Sequence, residues 1–541
     1  MFLRTVSRKN RDGSKVSYLQ IVENHWNQEK QVSRTRIVCT LGRVDGKGSS
    51  KLRQLAASIR KRLSLEELAG LDGWRFEDSW EHGAFHAVGE LWEQLGLRGI
   101  LERAVKDENR SVPFERAVFA MVANRCLAPS SKLCCYDQWL AEDVYFPEGK
   151  ELALHHLYRS MDLLDRHKEE IEETLYWKLG DLLNLDVDLV FYDTTSVYFE
   201  IDEEDDLRMR GYSKDGRGDR PQVVVGLAVT RDGFPVKSWV FPGNTSDVST
   251  IERVKDDLRG WKLNRCIFVT DAGMSSEENL HTLSKGGGHY ITAMSCVRGS
   301  EVVKEVLGRP GRFSPVGENL EVKEVWVGTG IRKRRYVICR NPLEVKRQSE
   351  YRATVLEQLE AELATLKGHP KRACRLFSSR RYGKYLRKLK SGELRIDRAA
   401  IKKYAKRDGL WVIRSNDETL SAEDLALAYK QLMRVEEAWK TMKSGLMLRP
   451  MHHRTEERIR AHVYLCVLAL LIERVAEKAA GETWRTIRNV LRTQKIGQLF
   501  TPSGRIYQAS NPSPEVCKLY KLLKIEPPPA LLDMEQHPKK T

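Results

Sequence analysis

The chain has 541 residues, of which 41% are apolar, so it is long enough for a sizeable core and two to four domains. Its formal net charge of +16 favours a polyanionic partner. The first residues are polar, and the longest apolar run, residues 463–472, is too short to cross a bilayer, which argues against a signal peptide and a membrane protein. Ten scattered cysteines without a Cys-x-x-Cys pair predict reduced thiols and a cytoplasmic protein.

Positive charge is concentrated in two segments. Residues 1–62 hold 15 Lys and Arg against 4 Asp and Glu, and residues 371–407 hold 15 against 2. Two basic segments on an otherwise acidic chain are typical of two nucleic-acid contact zones. Aromatic residues alternate with the cations of the second segment, which favours DNA contact over plain solvation. The phosphate contacts predicted there are Arg380, Arg381, Arg387 and Lys388.

The first 183 residues divide into a β-rich region and a helical region. Alternating apolar residues predict a small, basic β unit with a linker over residues 1–80, including a helix at 49–71 and the linker itself at 72–80. Helical spacing interrupted by prolines predicts several shorter helices over residues 81–183. A helical bundle beside a basic segment is a candidate binder of DNA ends, and plain scaffold is an equally good interpretation.

At residue 184 the pattern changes to that of a sheet. Apolar strands and two helical segments follow one another over residues 184–296 in the order β-β-β-α-β-α-β. Asp232 and Gly233 between the second and third strands are a strong hairpin signal. Three antiparallel strands followed by two αβ units are the ribonuclease H-like arrangement. We therefore expect an α/β core with a mixed sheet and flanking helices.

An insertion is expected to interrupt this core. Residues 297–408 contain further strand-like runs, an amphipathic helix at 344–367 and the second basic segment, and we interpret them as an insertion subdomain. Residues 409–480 return to the core with a short strand and two helices. In the C-terminal region, residues 481–541, the Pro- and Ser-rich part from residue 500 is expected to be loosely ordered.

One predicted helix carries three residues suited to phosphate and metal chemistry. The stretch from Ser421 to Gly445 starts with a capping box, ends at a glycine and contains no helix breaker. Tyr429, Glu436 and Lys443 are spaced by seven residues and therefore share one face. Taken alone, this stripe is better explained as a solvated face with ordinary ion pairs.

Two aspartates change that interpretation, because Asp193 and Asp271 each follow the apolar residues of a predicted strand and are expected to end it. If the two strands are neighbours, the carboxylates meet at one edge of the sheet and repel unless a divalent cation lies between them. With Glu436 they would hold two Mg²⁺ or Mn²⁺ ions about 3.5–4 Å apart, which suits in-line phosphoryl transfer. For either aspartate alone, an ordinary turn residue is the better explanation.

The motifs around these residues resemble those of a known family. FYDTT at Asp193, VTDAGM at Asp271 and YKQLMRVEEAWKTMK at residues 429–443 are similar to motifs of DDE-type transposases of bacterial insertion sequences. The resemblance is to the group related to insertion sequences 4 and 1634. GYSKDGRGDRPQ, PGNTSD and KSGLMLRPMHHR also resemble segments of this group.

The helix motif of that family, Tyr-x2-Arg-x3-Glu-x6-Lys, is matched at all positions but one. Tyr429, Glu436 and Lys443 are in place, whereas Leu432 occupies the Arg position. Arg434, two residues further on, is the candidate substitute, although it points in a different direction around the helix.

The resemblance implies a role for each matched residue. Asp193, Asp271 and Glu436 resemble the metal-binding catalytic triad, and Tyr429 and Lys443 resemble contacts to DNA near the cleaved end. The implied activity is metal-dependent DNA cleavage and strand transfer at the terminal inverted repeats of the chain's own element. The implied partners are double-stranded terminal-repeat and target DNA and a second copy of the chain in the DNA complex, in the bacterial cytoplasm at the nucleoid.

Two other functions are compatible with the sequence. A ribonuclease H-like nuclease or resolvase would hydrolyse DNA without strand transfer, but the basic N-terminal unit and the large insertion argue against a minimal nuclease. A catalytically decayed copy would only bind DNA; the complete triad argues against it, whereas Leu432 leaves it open.

Overall fold

The computed structural model describes residues 2–9, 15–27, 32–44, 54, 58, 75–108, 112–183, 189–261, 266–296, 302–366, 370–501 and 504–536. The chain divides into two compact units. The smaller unit comprises Met1–Ser79, Ile496–Ser510 and Pro529–Thr541, and the larger unit comprises Trp80–Lys495 and Asn511–Pro528.

Two β-sheets characterise the smaller unit. The first has the order β1–β2–β3, with β1 (Phe2–Lys9), β2 (Lys15–Asn27) and β3 (Val32–Arg43). The second has the order β18–β17–β16–β4, with β4 (Arg75–Glu81), β16 (Lys495–Thr501), β17 (Gly504–Ala509) and β18 (Leu531–Gln536). The predicted N-terminal β unit is confirmed, and the helix predicted at 49–71 lies almost wholly outside the described residues.

The larger unit begins with a helical region. Its helices are α1 (Gly83–Gln94), α2 (Leu97–Ala104), α3 (Phe114–Leu127), α4 (Lys132–Cys134) with a π-helical continuation over Cys135–Asp143, α5 (Leu154–Arg166) and α6 (Lys168–Leu183). The prediction of several shorter helices is confirmed.

A nine-stranded mixed sheet follows the helical region. Its order is β10–β11–β12–β15–β9–β8–β5–β6–β7, and only the β5–β8 and β8–β9 pairs are parallel among the described strands. The strands are β5 (Leu189–Tyr198), β6 (Gln222–Val229), β7 (Pro235–Pro242), β8 (Ile267–Thr270), β9 (His289–Met294), β10 (Ser314–Gly317), β11 (Leu320–Val327), β12 (Arg334–Arg340) and β15 (Leu410–Ser415).

The predicted β-β-β-α-β-α-β order is confirmed by β5 to β9 with two intervening helices, α7 (Asp247–Gly260) and α8 (Glu277–Ser284). Alternate residues of the central strands pack on opposite faces: Val190 and Tyr192 join a cluster with α7 and α8, and Phe191 joins the main core. Because both faces are covered, the central strands are almost continuously apolar. The architecture is ribonuclease H-like.

The predicted insertion is divided between two structures. Strands β10 to β12 fall within residues 297–408 but extend the central sheet through β15. The rest of the insertion has its own small apolar cluster around Val355 and Leu359. Its elements are α9 (Pro342–Ala364), α10 (Pro370–Ser378), β13 (Leu386–Lys388), β14 (Leu394–Ile396) and α11 (Arg398–Ala405).

The chain then completes the core with helices. They are α12 (Ala422–Lys430), α13 (Met433–Lys440) with a π-helical turn at Thr441–Gly445, α14 (Glu456–Ala480), α15 (Trp484–Leu491) and α16 (Pro514–Leu523). Residues 461–473 of α14 are all buried, so the middle of this helix is enclosed on every side, and the helix packs against α3, α5 and β7. None of the helices that the structure describes is long and apolar enough to cross a membrane.

Two predictions about connecting and terminal segments are wrong. Residues 75–80 of the predicted linker belong to β4, and the region predicted to be loosely ordered from residue 500 contains β17, α16 and β18. Ser513 and Pro514, counted as signs of disorder, in fact start a helix. The Ser513 hydroxyl accepts a hydrogen bond from the Val516 amide, and Pro514 occupies the first helical turn, where a proline is favoured.

Candidate active site

Asp193 and Asp271 lie on neighbouring parallel strands. Phe191 of β5 is paired with Val269 of β8, so the two aspartates, each two residues further on, stand at the same level. Asp271 directly follows β8, as predicted. Asp193 does not end its strand, contrary to the prediction, because β5 continues to Tyr198 alongside β6.

Burial and neighbouring charge act on the Asp193 carboxyl. Its side chain is 21% exposed, and burial raises its pKa to about 6, with the negative charges of Asp247 and Asp271 adding to the effect. The Lys214 ammonium and a hydrogen bond from the Thr194 amide oppose this rise in pKa. Three carboxylates therefore interact at this edge of the sheet, and negative charge is concentrated there.

Asp247 and Lys214 belong to this site but were not predicted. The Lys214 Nζ lies 3.0 Å from Asp247 Oδ2 and 3.8 Å from Asp193 Oδ1. The Thr194 hydroxyl donates a hydrogen bond to Asp247. Lys214 lies in GYSKDGRGDRPQ and Asp247 in PGNTSD, two segments that resemble the transposase group. That resemblance was the sequence signal that could have assigned both residues to the site.

The helix predicted over 421–445 is interrupted. Ser421 caps its start, as predicted, by accepting a hydrogen bond from the Asp424 amide (3.0 Å), and helical structure ends at Gly445. The prediction of one unbroken helix is wrong, because α12 ends at Lys430 and α13 begins at Met433.

Leu432 lies at this interruption. Its amide donates to the Tyr429 carbonyl oxygen (2.9 Å) and its carbonyl oxygen accepts from the Val435 amide (3.1 Å), so the backbone tightens to a 3₁₀-type turn. Its side chain is only 6% exposed and belongs to the main core. This turn lies between Tyr429 and Glu436 and directs the Leu432 side chain into the core.

Tyr429 links the helix to the sheet. Its hydroxyl donates a hydrogen bond to Asp271 Oδ1 (3.2 Å). Burial raises the pKa of Tyr429, and the charges of Asp271 and Glu436 raise it further. Glu436 is exposed on α13, which packs against β5 and β6. Tyr429 thus interacts both with Asp271 and with Glu436.

Lys443 forms a buried ion pair rather than extending into solvent. Its side chain is 12% exposed, and its Nζ donates to Asp215 Oδ1 at 2.8 Å. Arg449 approaches the same oxygen at 2.5 Å. Burial lowers the pKa of Lys443, and Asp215 opposes that change. Asp215 follows Lys214, so one loop contacts both the carboxylates and Lys443.

Comparison with known families identifies the chain. A family model described as "Transposase DDE domain" matches residues 189–472. The chain belongs to the DDE transposase family. A second model, "IS1634 family transposase, N-terminal domain", matches residues 3–68 and supports the insertion-sequence group that the motifs indicated.

A solved transposase structure is among those that the chain matches. The chain matches the "Cryo-EM structure of piggyBac transposase synaptic complex with hairpin DNA (SNHP)" with 9% sequence identity and a TM-score of 0.35. The match covers 75% of this chain and 79% of that one. The comparison with curated proteins gave no match.

The basic residues singled out in the insertion of this transposase are all on its surface. Arg380, Arg381, Arg387 and Lys388 are exposed, and Arg381 donates a hydrogen bond to Gln358 (2.6 Å). Arg387 on β13 is directly opposite Arg395 on β14. Like charges directly opposite each other are unfavourable in an isolated sheet, so this face is better suited to an anionic partner.

Arg434, the candidate substitute for the missing motif arginine, is exposed on the transposase surface. Its guanidinium forms an ion pair with Glu437 (3.1 Å), one turn along the same helix. It therefore lies outside the carboxylate group, as expected from its position two residues after Leu432.

DDE transposases as a family use divalent metal ions. In the ranges that the structure describes, no three His, Cys, Asp or Glu side chains converge closely enough to hold such an ion. The chemistry of the donors fits nonetheless, since only carboxylate oxygens are offered and Mg²⁺ prefers oxygen ligands. The Lys214 ammonium lies beside the carboxylates of Asp193 and Asp247, so a positive charge already compensates these two acids.

Proposed function

We propose that this transposase binds the terminal inverted repeats of its insertion sequence and catalyses metal-dependent DNA strand cleavage and strand transfer. The observation that supports this most directly is the placement of Asp193 and Asp271 at one level of two paired parallel strands. Two carboxylates at one level of neighbouring strands, with the helix that carries Glu436 packed against β5, suit phosphoryl transfer better than a structural role.

In this proposal Asp193, Asp271 and Glu436 are the residues that hold two Mg²⁺ or Mn²⁺ ions. When bound, the ions activate the attacking oxygen and stabilise the leaving oxygen of the phosphodiester. The chain itself contributes the orientation of the acids: the Tyr429 hydroxyl holds Asp271 by a hydrogen bond, and burial between strands restricts Asp193.

The proposed DNA contacts fall in two places. Tyr429, which is hydrogen-bonded to Asp271, contacts the DNA next to the cleaved end. Lys443 makes the second contact there once the DNA phosphate replaces Asp215 as its partner, and Arg434 contributes a phosphate contact from the exposed side of α13. Arg380, Arg381, Arg387 and Lys388 form the second contact zone, on the insertion. The helical region at residues 81–183 is the further candidate for holding the DNA end.

A strand-transfer assay tests this function. Duplexes that carry the ends of the element are incubated with the purified protein, Mg²⁺ and a supercoiled plasmid as target. We expect cleavage at the element end and joined products, both lost in EDTA. Cleaved ends that are never joined to the plasmid would overturn strand transfer and indicate a nuclease, and absence of cleavage with retained binding would indicate a DNA-binding protein.

A further inference from the structure

Lys214 reaches into the carboxylate group from a loop. Its Nζ contacts Asp247 (3.0 Å) and Asp193 (3.8 Å), and it donates hydrogen bonds to the carbonyl oxygen and the hydroxyl oxygen of Thr194 at 2.8 and 2.9 Å. The next residue, Asp215, is buried between Lys443 and Arg449. The contacts of these two consecutive residues therefore hold the loop in place.

Asp247 stands between the two strands that carry the predicted acids. It is the first residue of α7 and is 30% exposed. On one side it accepts the hydrogen bond from Thr194, the residue after Asp193. On the other side, a Cβ built on Gly273 would be 3.7 Å from Asp247 Oδ2, and Gly273 is two residues after Asp271. Asp247 thus adjoins both halves of the carboxylate pair.

We propose that Asp247 is a further acidic residue of the active site, and that Lys214 is the counter-ion of Asp247 and Asp193, which occupies the place where the divalent cation binds until the cation replaces it. This inference rests on the proposed metal-dependent function. Neighbouring carboxylates repel one another, and a positive charge between them relieves this repulsion before the metal binds. The Lys214 ammonium supplies that charge, and a divalent cation replaces it.

The two roles predict opposite effects of substitution. Without Lys214, the metal-free protein retains uncompensated carboxylates and becomes less stable, while a divalent cation meets no competing ammonium and binds more tightly. Without the Asp247 carboxylate, the cation loses an oxygen ligand or a compensating negative charge and binds more weakly. A purely structural lysine would lower stability equally with and without metal.

Thermal unfolding of the full-length, DNA-free protein during a Mn²⁺ titration tests the proposal. For Lys214→Met we expect a lower Tm in EDTA, a larger rise in Tm with Mn²⁺, and a Kd for Mn²⁺ about tenfold lower, a change that corresponds to about 1.4 kcal/mol. For Asp247→Asn we expect a Kd about tenfold higher than that of the unsubstituted protein. Lys214→Gln repeats the first measurement with a polar side chain of similar length.

Arg217→Met provides the matched control, because Arg217 lies in the same loop but pairs with Asp219 at 3.0 Å. Its Mn²⁺ response should equal that of the unsubstituted protein. An unchanged Mn²⁺ response in both Lys214 variants, or an unchanged Kd in Asp247→Asn, would overturn the corresponding part of the inference. Asp193→Asn separates this failure from that of the proposed function: if Asp193→Asn also leaves Mn²⁺ binding unchanged, the metal site itself is refuted.

Discussion

At the scale of single residues, Leu432 explains why one motif position departs from the family pattern. An arginine there would be placed in the main core, where Leu432 is buried, rather than on the exposed side of the helix. A leucine therefore suits this position, where the side chain packs in the core beside the 3₁₀-type turn. Arg434, which is exposed and paired with Glu437, is free of that constraint.

Substitutions of Leu432 and Arg434 should differ in their effect on stability, because the first residue is buried and the second is exposed. Leu432→Arg should destabilise the protein by at least about 2 kcal/mol, because it buries a charge without a partner. Arg434→Ala should change stability by no more than about 0.5 kcal/mol, since an exposed ion pair contributes little, and should weaken binding to element ends. Chemical denaturation and a DNA-binding assay on both variants check this. A stable Leu432→Arg protein would refute the packing explanation.

Glu473 gives the fold a pH-dependent residue away from the active site. It is buried in α14, and burial, with Glu477 adding to it, raises its pKa to about 8. The ordinary value is about 4.3, so between these values the folded protein holds a proton that the unfolded chain releases. The contribution of Glu473 to the free energy of unfolding should therefore be fully present at low pH and fall as the pH rises toward 8.

Glu473→Gln should remove this loss of stability. The variant should be more stable than the unsubstituted protein at pH 8 by at least about 1 kcal/mol, and the difference should shrink toward pH 5. Denaturant unfolding at a series of pH values measures it. If the two proteins lose stability in parallel over this range, Glu473 is not the residue responsible.

At the scale of elements, strands and their order were predictable, whereas contacts from distant loops were not. Apolar runs that end near Asp193 and Asp271 identified β5 and β8 and their pairing, because sheet order follows from the β-β-β-α-β-α-β pattern. Lys214 reaches the same place from a loop and Asp247 from the first residue of α7, and no spacing along the chain encodes such contacts. The break between α12 and α13 was missed for a similar reason, since it depends on how Leu432 packs.

The exposed basic face of the insertion gives the prediction that belongs to this scale. Replacing Arg380, Arg381, Arg387 and Lys388 by Gln should flatten the salt dependence of DNA binding, because each phosphate contact contributes about −0.9 to the log–log slope. Lys346 and Arg347 are also exposed on the insertion, in α9, and Arg347 pairs with Glu344.

Replacing Lys346 and Arg347 by Gln is the control, and should leave the slope almost unchanged. Affinities measured at several salt concentrations give the slopes. Equal slopes for the four-residue variant and the unsubstituted protein would mean that this face is only solvated.

At the scale of the whole molecule, the basic segments and the proposed acidic active site are separated along the chain. The basic residues 1–62 and 371–407 lie outside the segment 189–296 that carries Asp193 and Asp271. This distribution suits a protein that holds a long DNA by its phosphates while it presents one phosphodiester to the carboxylates. A single chain offers one such carboxylate site, whereas an element has two ends.

We therefore expect two copies of the chain in the complex with DNA ends. Mass measurement of the complex formed with end duplexes in Ca²⁺, which replaces Mg²⁺ without supporting the reaction in this test, should give two chains and two duplexes. A complex of one chain with one duplex that still carries out strand transfer after addition of Mg²⁺ would contradict the homodimer.

The central claim is that Asp193, Asp271 and Glu436 together carry metal-dependent cleavage. The most direct test is nicking of end duplexes by Asp193→Asn, Asp271→Asn and Glu436→Gln, with binding to the same duplexes measured in EDTA. We predict that each variant binds DNA but loses nicking in Mg²⁺ and Mn²⁺, whereas Glu437→Gln, one residue along α13, keeps it. Near-normal nicking by any of the first three variants would contradict the account.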